Sequence, residues 1–275
     1  MSIPNNPASN ERGVALVTGA SSGIGAVYAD RLARRGYDLV LVARSRDKLD
    51  ALAQRLRADT GRAVDVLPAD LADAAGLASV EARLRDDARI TLLVNNAGIG
   101  AGAPLVDTPI GVVDNLIALN VHALTRLTYA AVPGMVARGG GTVINIASIV
   151  AIAPELLNGV YGASKAYVLA LSQSLTHELG AKGLRVQAVL PGATATEFWD
   201  VAGVDIGALP TEWVMSAHNL VDAALAGLDL GEFATIPALP DAADWDRYEA
   251  ARRAMMPNLS SKRPAERYQV SRAAA

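Results

Sequence analysis

Gly13-Val14-Ala15-Leu16-Val17-Thr18-Gly19-Ala20-Ser21-Ser22-Gly23-Ile24-Gly25 governs how the rest of the chain is read. Residues 13–18 are a short apolar run, the pattern of a strand buried on both faces. Residues 18–25 form a glycine turn that opens onto a helical segment at 24–35. Glycines between a strand and a helix permit a tight turn and close backbone approach to a pyrophosphate. The helix N-terminus adds N–H groups and a favourable dipole. The spacing is G-x-x-x-G-x-G, not the G-x-G-x-x-G dinucleotide fingerprint, and a glycine turn alone is also compatible with a plain structural bend.

Beyond this stretch, apolar β-branched runs recur at 38–43, 63–67, 91–94, 142–146, 184–190 and 232–236. Helical patterns fill the gaps at 24–35, 46–59, 73–87, 109–138 and 159–182. Pro133 is expected to kink or end the fourth of these helices. In the fifth, Val168, Leu171, Leu175 and Leu179 form a core-facing stripe. Repeated β-α-β units imply an α/β fold, a doubly wound parallel sheet of about seven strands, Rossmann-like, with its ligand at the strands' carboxyl ends. Residues 12–240 read as one dinucleotide-binding and catalytic domain carrying an irregular flap at 197–216. Residues 1–11 read as a disordered leader and 241–275 as a helix (244–255) with a polar tail.

With 275 residues, 51% of them hydrophobic, the chain can bury a substantial core. A net charge of −3 argues against nucleic-acid binding, and the lack of cysteine removes disulfides, thiol nucleophiles and Cys-ligated metals. His122, His177 and His218 have no metal-ligand spacing, so no metal is expected. No apolar run approaches the roughly 20 residues that span a bilayer, and the polar N-terminus is not a secretory signal. No membrane association is expected, and the expected location is the cytoplasm.

The end of the second strand bears on the coenzyme. NAD-binding folds of this type place an acidic residue there for the ribose 2′-OH. Here Ala43 is followed by Arg44, Ser45 and Arg46, with no carboxylate at the strand tip. An arginine suits a 2′-phosphate in charge and in bidentate geometry, which favours NADP(H). The alternative is an ordinary surface arginine.

Tyr161-Gly162-Ala163-Ser164-Lys165 opens the fifth helix, and a spacing of four puts Tyr161 and Lys165 on one face. A free phenol, with a pKa of about 10, is a poor base at neutral pH. A neighbouring ammonium would stabilise phenolate and bring that value nearer the working range of a general acid/base. On its own, Y-x-x-x-K is equally a solvated pair on a helix.

Read in order from about residue 13 to 236, these features resemble the short-chain dehydrogenase/reductase family. The matching motifs are the Thr18 to Gly25 turn, Asp70-Leu71, Asn95-Asn96-Ala97-Gly98, Asn120, Ser148, the Tyr161/Lys165 pair and Pro191-Gly192. The resemblance implies a single-domain oxidoreductase that moves a hydride between nicotinamide and a carbonyl or secondary alcohol. It implies Tyr161 as acid/base, with Lys165 lowering its pKa and holding the nicotinamide ribose. Ser148 would hydrogen-bond the substrate oxygen, and Asn120 would hold a water linking Lys165 to solvent. The turn residues Gly19, Ser21, Ser22, Gly23, Ile24 and Gly25 would face the coenzyme, as would Ala97 and Gly98. Asp70 and Leu71 would contact adenine, and Asn96 would support the sheet beside the coenzyme. Pro191, Gly192 and Thr194 would border the nicotinamide, with Thr196 near the phosphates. Read singly, Asn120 could be a buried helix-bridging amide and Ser148 a turn serine.

Two other functions fit parts of the pattern. Gly19-Ala20-Ser21-Ser22-Gly23 matches the G-x-S-x-G nucleophile elbow, with Asp205 and His218 following in hydrolase order. Against it, the turn follows the first strand, with no upstream segment for an oxyanion donor. A non-catalytic NADP(H) sensor could use the same scaffold, but it would not need the tyrosine. The substrate pocket is expected from Ile149, Ile152, Pro154, Leu156, Leu157, Phe198, Trp199, Trp213 and Met215, a mostly apolar set suited to a hydrophobic ketone or alcohol. Glu155 is the one charge between Ser148 and Tyr161. The family pairs subunits through the fourth and fifth helices. Residues 113–136 are apolar on more than one face, so a homodimer or homotetramer is expected.

Overall fold

The structure, a computed structural model, describes residues 12–157 and 159–268; the expected leader lies outside the described residues. The chain divides at Pro237/Ala238 into two compact units. In the first, the strands are β1 (Val14–Thr18), β2 (Asp38–Ala43), β3 (Val64–Pro68), β4 (Ile90–Asn95), β5 (Gly141–Ile146), β6 (Leu184–Val189), β7 (Thr194–Ala195), β8 (Met215–Ser216) and β9 (Ala234–Thr235). The helices are α1 (Gly23–Arg34), α2 (Arg46–Thr60), α3 (Ala74–Asp86), α4 (Ile110–Ile117), α5 (Leu124–Ala137), α6 (Gly159–Leu179), α7 (Phe198–Ala202) and α8 (Ala217–Leu230).

The main sheet has seven parallel strands in the order β3-β2-β1-β4-β5-β6-β9, as a doubly wound sheet requires. Side chains alternate across each strand. Ala15 and Val17 of β1 enter one core with α1, α2 and α8, while Val14 and Leu16 enter the other with α3, α5 and α6. From β1 the chain builds outward to β3, then returns to lay β4 on the other side of β1. A crevice therefore opens at the carboxyl ends of β1 and β4, the switch point where such sheets bind ligands.

Three elements differ from the sequence reading. The run at 109–138 is one helical stretch, α4 and α5, joined through a π segment at Ala118–Ala123. Pro133 does not end it: α5 runs on to Ala137, and Pro133 lies on the exposed side, where solvent can serve the carbonyl it leaves unbonded. Helix α8 was not anticipated. Its stripe of Leu220, Val221, Ala224, Leu225 and Leu228 is buried, Ser216 caps its start by accepting the Asn219 N–H at 3.1 Å, and Gly231 ends it in the left-handed conformation. The last strand is short, with only Ala234 and Thr235 pairing onto β6. A two-stranded sheet, β7 with β8, closes the expected flap at its base.

The second unit holds α9 (Ala242–Ala254), begun by Asp241, which accepts the Ala243 N–H at 2.9 Å. Among the described residues, no helix is long and apolar enough to cross a membrane.

Candidate active site

The glycine turn is built by backbone contact. Gly19 and Gly23 have φ of +64° and +53°, and a methyl at Gly25 would lie 2.2 Å from the Gly19 carbonyl and 2.5 Å from Asn96 Nδ2. Asn96 staples the ends of β1 and β4 together: its Nδ2 donates to the carbonyls of Thr18 (2.9 Å) and Gly19 (3.2 Å). The Thr18 hydroxyl accepts the N–H groups of Asn96 and Ala97, both at 3.0 Å. The two ends of the crevice are thereby held rigidly.

Helix α1 starts without a side-chain cap from Ser22 and without an acidic residue in its first turn. By contrast, α3 is capped by Asp73, whose carboxylate accepts from Ala75 and Gly76. An uncapped positive helix end behind a glycine turn suits an external anion such as a pyrophosphate. Thr196 sits against the same turn, 3.1 Å from where a methyl on Gly23 would be. Arg44, Ser45 and Arg46 are exposed at the tip of β2; Leu71 is buried and Asp70 exposed beyond β3.

The π segment places Asn120. Widening the helix there turns the carboxamide onto the loop after β4, where its Oδ1 accepts the Ile99 N–H at 2.9 Å and its Nδ2 donates to the Ile99 carbonyl at 2.8 Å. The same Nδ2 reaches Ser164 Oγ at 3.2 Å, and Ser164 in turn donates to the Tyr161 carbonyl at 2.7 Å. Asn120 thus ties the β4 loop to α6. A methyl at Gly98 would lie 3.1 Å from Asn120 Oδ1 and 3.6 Å from Lys165 Nζ, so this glycine keeps the space between them open.

Beneath this, Asn95 Nδ2 donates to Thr128 Oγ1 (3.1 Å) and Asn145 Oδ1 (2.9 Å), and Asn145 Nδ2 donates to Ser172 (2.9 Å). That buried ladder fixes α5 and α6 against the sheet.

Tyr161, Ser148 and Lys165 are all buried. Burial pushes the Tyr161 phenol up to about 12, partly offset by a hydrogen bond with Ser148. Burial pulls Lys165 down to about 8. The sequence reading had Lys165 lowering the tyrosine. Instead the ammonium donates to the Ile146 carbonyl at 2.8 Å and stands 5.8 Å from the Tyr161 ring centre, so Ser148 is the group acting on the phenol. Ser148 is held by the Pro191 carbonyl at 3.3 Å, which the Ile149 N–H also reaches, at 3.0 Å.

Around Tyr161 pack Ala101, Leu116 and Val150, with Ile99, Ile149, Leu157, Val160 and Phe198 partly buried beside them. The Phe198 ring lies 5.7 Å from that of Tyr161. Of the expected pocket residues, Ile149, Leu157 and Phe198 gather there. Trp213 and Leu156 are mostly exposed, at 67% and 59%, and Ile152, Pro154 and Glu155 are also exposed. Trp199 is buried, its indole donating to the Thr194 carbonyl at 2.7 Å, and Met215 packs on the core shared by α1, α2 and α8. Both tryptophans are flap residues whose hydropathy carried no information about direction.

Among the described residues, no hydrogen bond joins Ser21, Asp205 and His218; Asp205 caps its own turn by accepting the Gly207 N–H at 2.8 Å. Sequence reasoning missed Ser164, which stands three residues after Tyr161 and was findable from helical spacing. It also missed the pairing of Lys48 with Glu197, which lie 149 residues apart and share no local signal.

Comparison with known proteins places these features in a wider group. The profile of the family described as short chain dehydrogenase matches residues 13–205. A short-chain dehydrogenase from Sphingobium yanoikuyae, solved in complex with NADPH, is 52% identical, with TM-score 0.90, covering 93% of this chain and 100% of that one. The bulky-bulky ketone specific alcohol dehydrogenase from Comamonas testosteroni is 47% identical, with TM-score 0.86 and coverage of 93% and 98%. The very-long-chain 3-oxoacyl-CoA reductase of Anas platyrhynchos is 35% identical over 187 residues, 66% of this chain and 60% of that protein's length.

Proposed function

This chain belongs to the short-chain dehydrogenase family, and on that premise we propose that it is a cytoplasmic NADP(H)-dependent oxidoreductase acting on a hydrophobic ketone or secondary alcohol. One observation carries the reading: a buried phenol, hydroxyl and ammonium converge beside a crevice whose glycine turn leaves a helix N-terminus uncapped. The NADPH-bound Sphingobium relative and Arg44 at the tip of β2 support NADP(H) over NAD(H). The apolar wall around Tyr161 and the ketone-specific Comamonas relative support the substrate class.

The bound coenzyme supplies or accepts the hydride. Tyr161, its pKa raised by burial, keeps its proton through neutral pH and gives it to the substrate oxygen during reduction. Ser148 hydrogen-bonds that oxygen as charge grows on it. Lys165 holds the nicotinamide ribose with an ammonium oriented by the Ile146 carbonyl. Asn120 and the opening kept by Gly98 provide a proton route from Lys165. We further propose a homodimer or homotetramer through the helical stretch α4–α5 and through α6, supported by the exposure of Ile110 (72%), Tyr129 (69%) and Tyr167 (37%).

The test is NADPH oxidation against a panel of bulky aryl and alkyl ketones, with sugars and aldehydes as controls. Turnover of the ketones is expected, and Tyr161→Phe should cost about 10²–10⁴-fold in turnover with coenzyme affinity retained. A Tyr161→Phe variant that turns over near the wild-type rate would sink the assignment.

A further inference from the structure

Lys48 stands in the first turn of α2, four residues past Arg44, and its ammonium reaches the Glu197 carboxylate at 3.2 and 3.4 Å. Glu197 begins the flap, immediately before α7, and its carboxylate is influenced by Ser22 in the glycine turn. Lys48, and then Ser22, hold Glu197 below the usual carboxylate range, so it is an anion at neutral pH. It sits between the two places where a phosphorylated dinucleotide would bring negative charge.

The next residue, Phe198, lays its ring against Tyr161 and onto Gly100, where an added methyl would meet the ring at 2.4 Å. Two of the flap's holds face the site: Phe198 over the phenol, and Glu197 over the coenzyme side. The second hold is weak by construction. Lys48 and Glu197 are 52% and 64% exposed, and exposed ion pairs give little net stability. A phosphate, with up to two charges and three acceptor oxygens, is a stronger partner for an ammonium than one carboxylate.

We propose that Lys48 is a ligand of the coenzyme 2′-phosphate, kept in reserve by Glu197, and that the phosphate displaces Glu197 from it. Displacement frees the coenzyme-side hold of the flap and lets Phe198 withdraw from Tyr161, so the substrate space opens once the phosphorylated coenzyme is seated. The inference rests on the NADP(H) reading above and adds to it a second cation and a competitor.

Fluorescence titration of NADPH and NADH with the wild-type protein, Arg44→Ala, Lys48→Met and Glu197→Gln tests it. Lys48→Met should weaken NADPH by about tenfold, the loss of one charge-assisted hydrogen bond, and leave NADH within twofold. Glu197→Gln should tighten NADPH a few-fold, because the competitor is gone, without changing NADH. Equal effects of Lys48→Met on both coenzymes, no effect on either, or unchanged or weaker NADPH binding in Glu197→Gln would overturn the proposal. Equal wild-type affinities for NADPH and NADH would bring down the coenzyme reading and this inference with it. A wild-type preference that Arg44→Ala reduces and Lys48→Met leaves intact would bring down this inference alone.

Discussion

The glycine turn at 18–25 and the flap at 197–216 border the same crevice but are built by opposite means. In the turn, backbone meets backbone: Gly19 and Gly25 leave no space for a side chain, and Asn96 locks β1 to β4 through carbonyls that any sequence would carry. In the flap, β7–β8 pairing and the Gly102 N–H on the Ala202 carbonyl (3.0 Å) supply the backbone ties, and side chains seat it against the site. Phe198 rests on Tyr161, the Trp199 indole reaches the Thr194 carbonyl, and Glu197 reaches Lys48. A surface made of backbone fits a ligand part that never changes, here a pyrophosphate. A surface made of side chains can be exchanged one residue at a time and suits the part that varies, the substrate.

If that contrast holds, the largest effect should come from the turn. Gly25→Ala puts a methyl 2.2 Å from the Gly19 carbonyl, so the turn must open. We expect a stability loss of about 1–3 kcal/mol from overpacking and loss of coenzyme binding beyond the reach of titration. A melt and a coenzyme titration both near wild type would show that the turn is not under this constraint.

An intermediate effect lies between the two regions, at Lys165. A lysine whose folded pKa is lowered is charged only below that value, here about 8. The reductive kcat/KM should stay level below that pH and fall as pH rises through it, approaching tenfold per unit. A profile flat from pH 6 to 10 would remove the ammonium from the chemistry.

The smallest effect should come from the flap. Phe198→Ala should leave coenzyme binding unchanged and shift the KM ratio between the bulkiest and smallest accepted ketones a few-fold in favour of the bulkiest, because the ring occupies space beside Tyr161. An unaltered ratio would mean that Phe198 is packing only.

The same contrast explains what could be read from the sequence. The sheet, its parallel order and the glycine turn follow from periodic apolar runs and from glycine's special geometry, both local signals. Arg44, Tyr161 and Lys165 stood out because they lie at the end of a strand or on a readable helix face, whereas Asn96, Asn120 and Ser148 were legible only through the family resemblance. Helix α8 had its own signals, Ser216 as cap and Leu220, Val221, Ala224, Leu225 and Leu228 in register, hidden by the irregular composition just before it. What no local pattern could give was direction and burial: that Trp213 points outward while Trp199 points in, or that the Lys165 ammonium goes to Ile146 and leaves the phenol pushed upward. Those depend on contacts between distant residues.

The π segment at Ala118–Ala123 is in effect an insertion stored inside a helix. Removing one residue there would restore a regular α-helix. With 3.6 residues per turn, it would also rotate everything downstream by about 100° relative to everything upstream. Asn120 would swing off the Ile99 backbone, and the Leu127, Ala131 and Met135 face of α5 would leave the sheet unless α4 turned instead. The helix therefore acts as a phase coupler: its exposed upstream face and its buried downstream face stay in step only while that one surplus residue is kept.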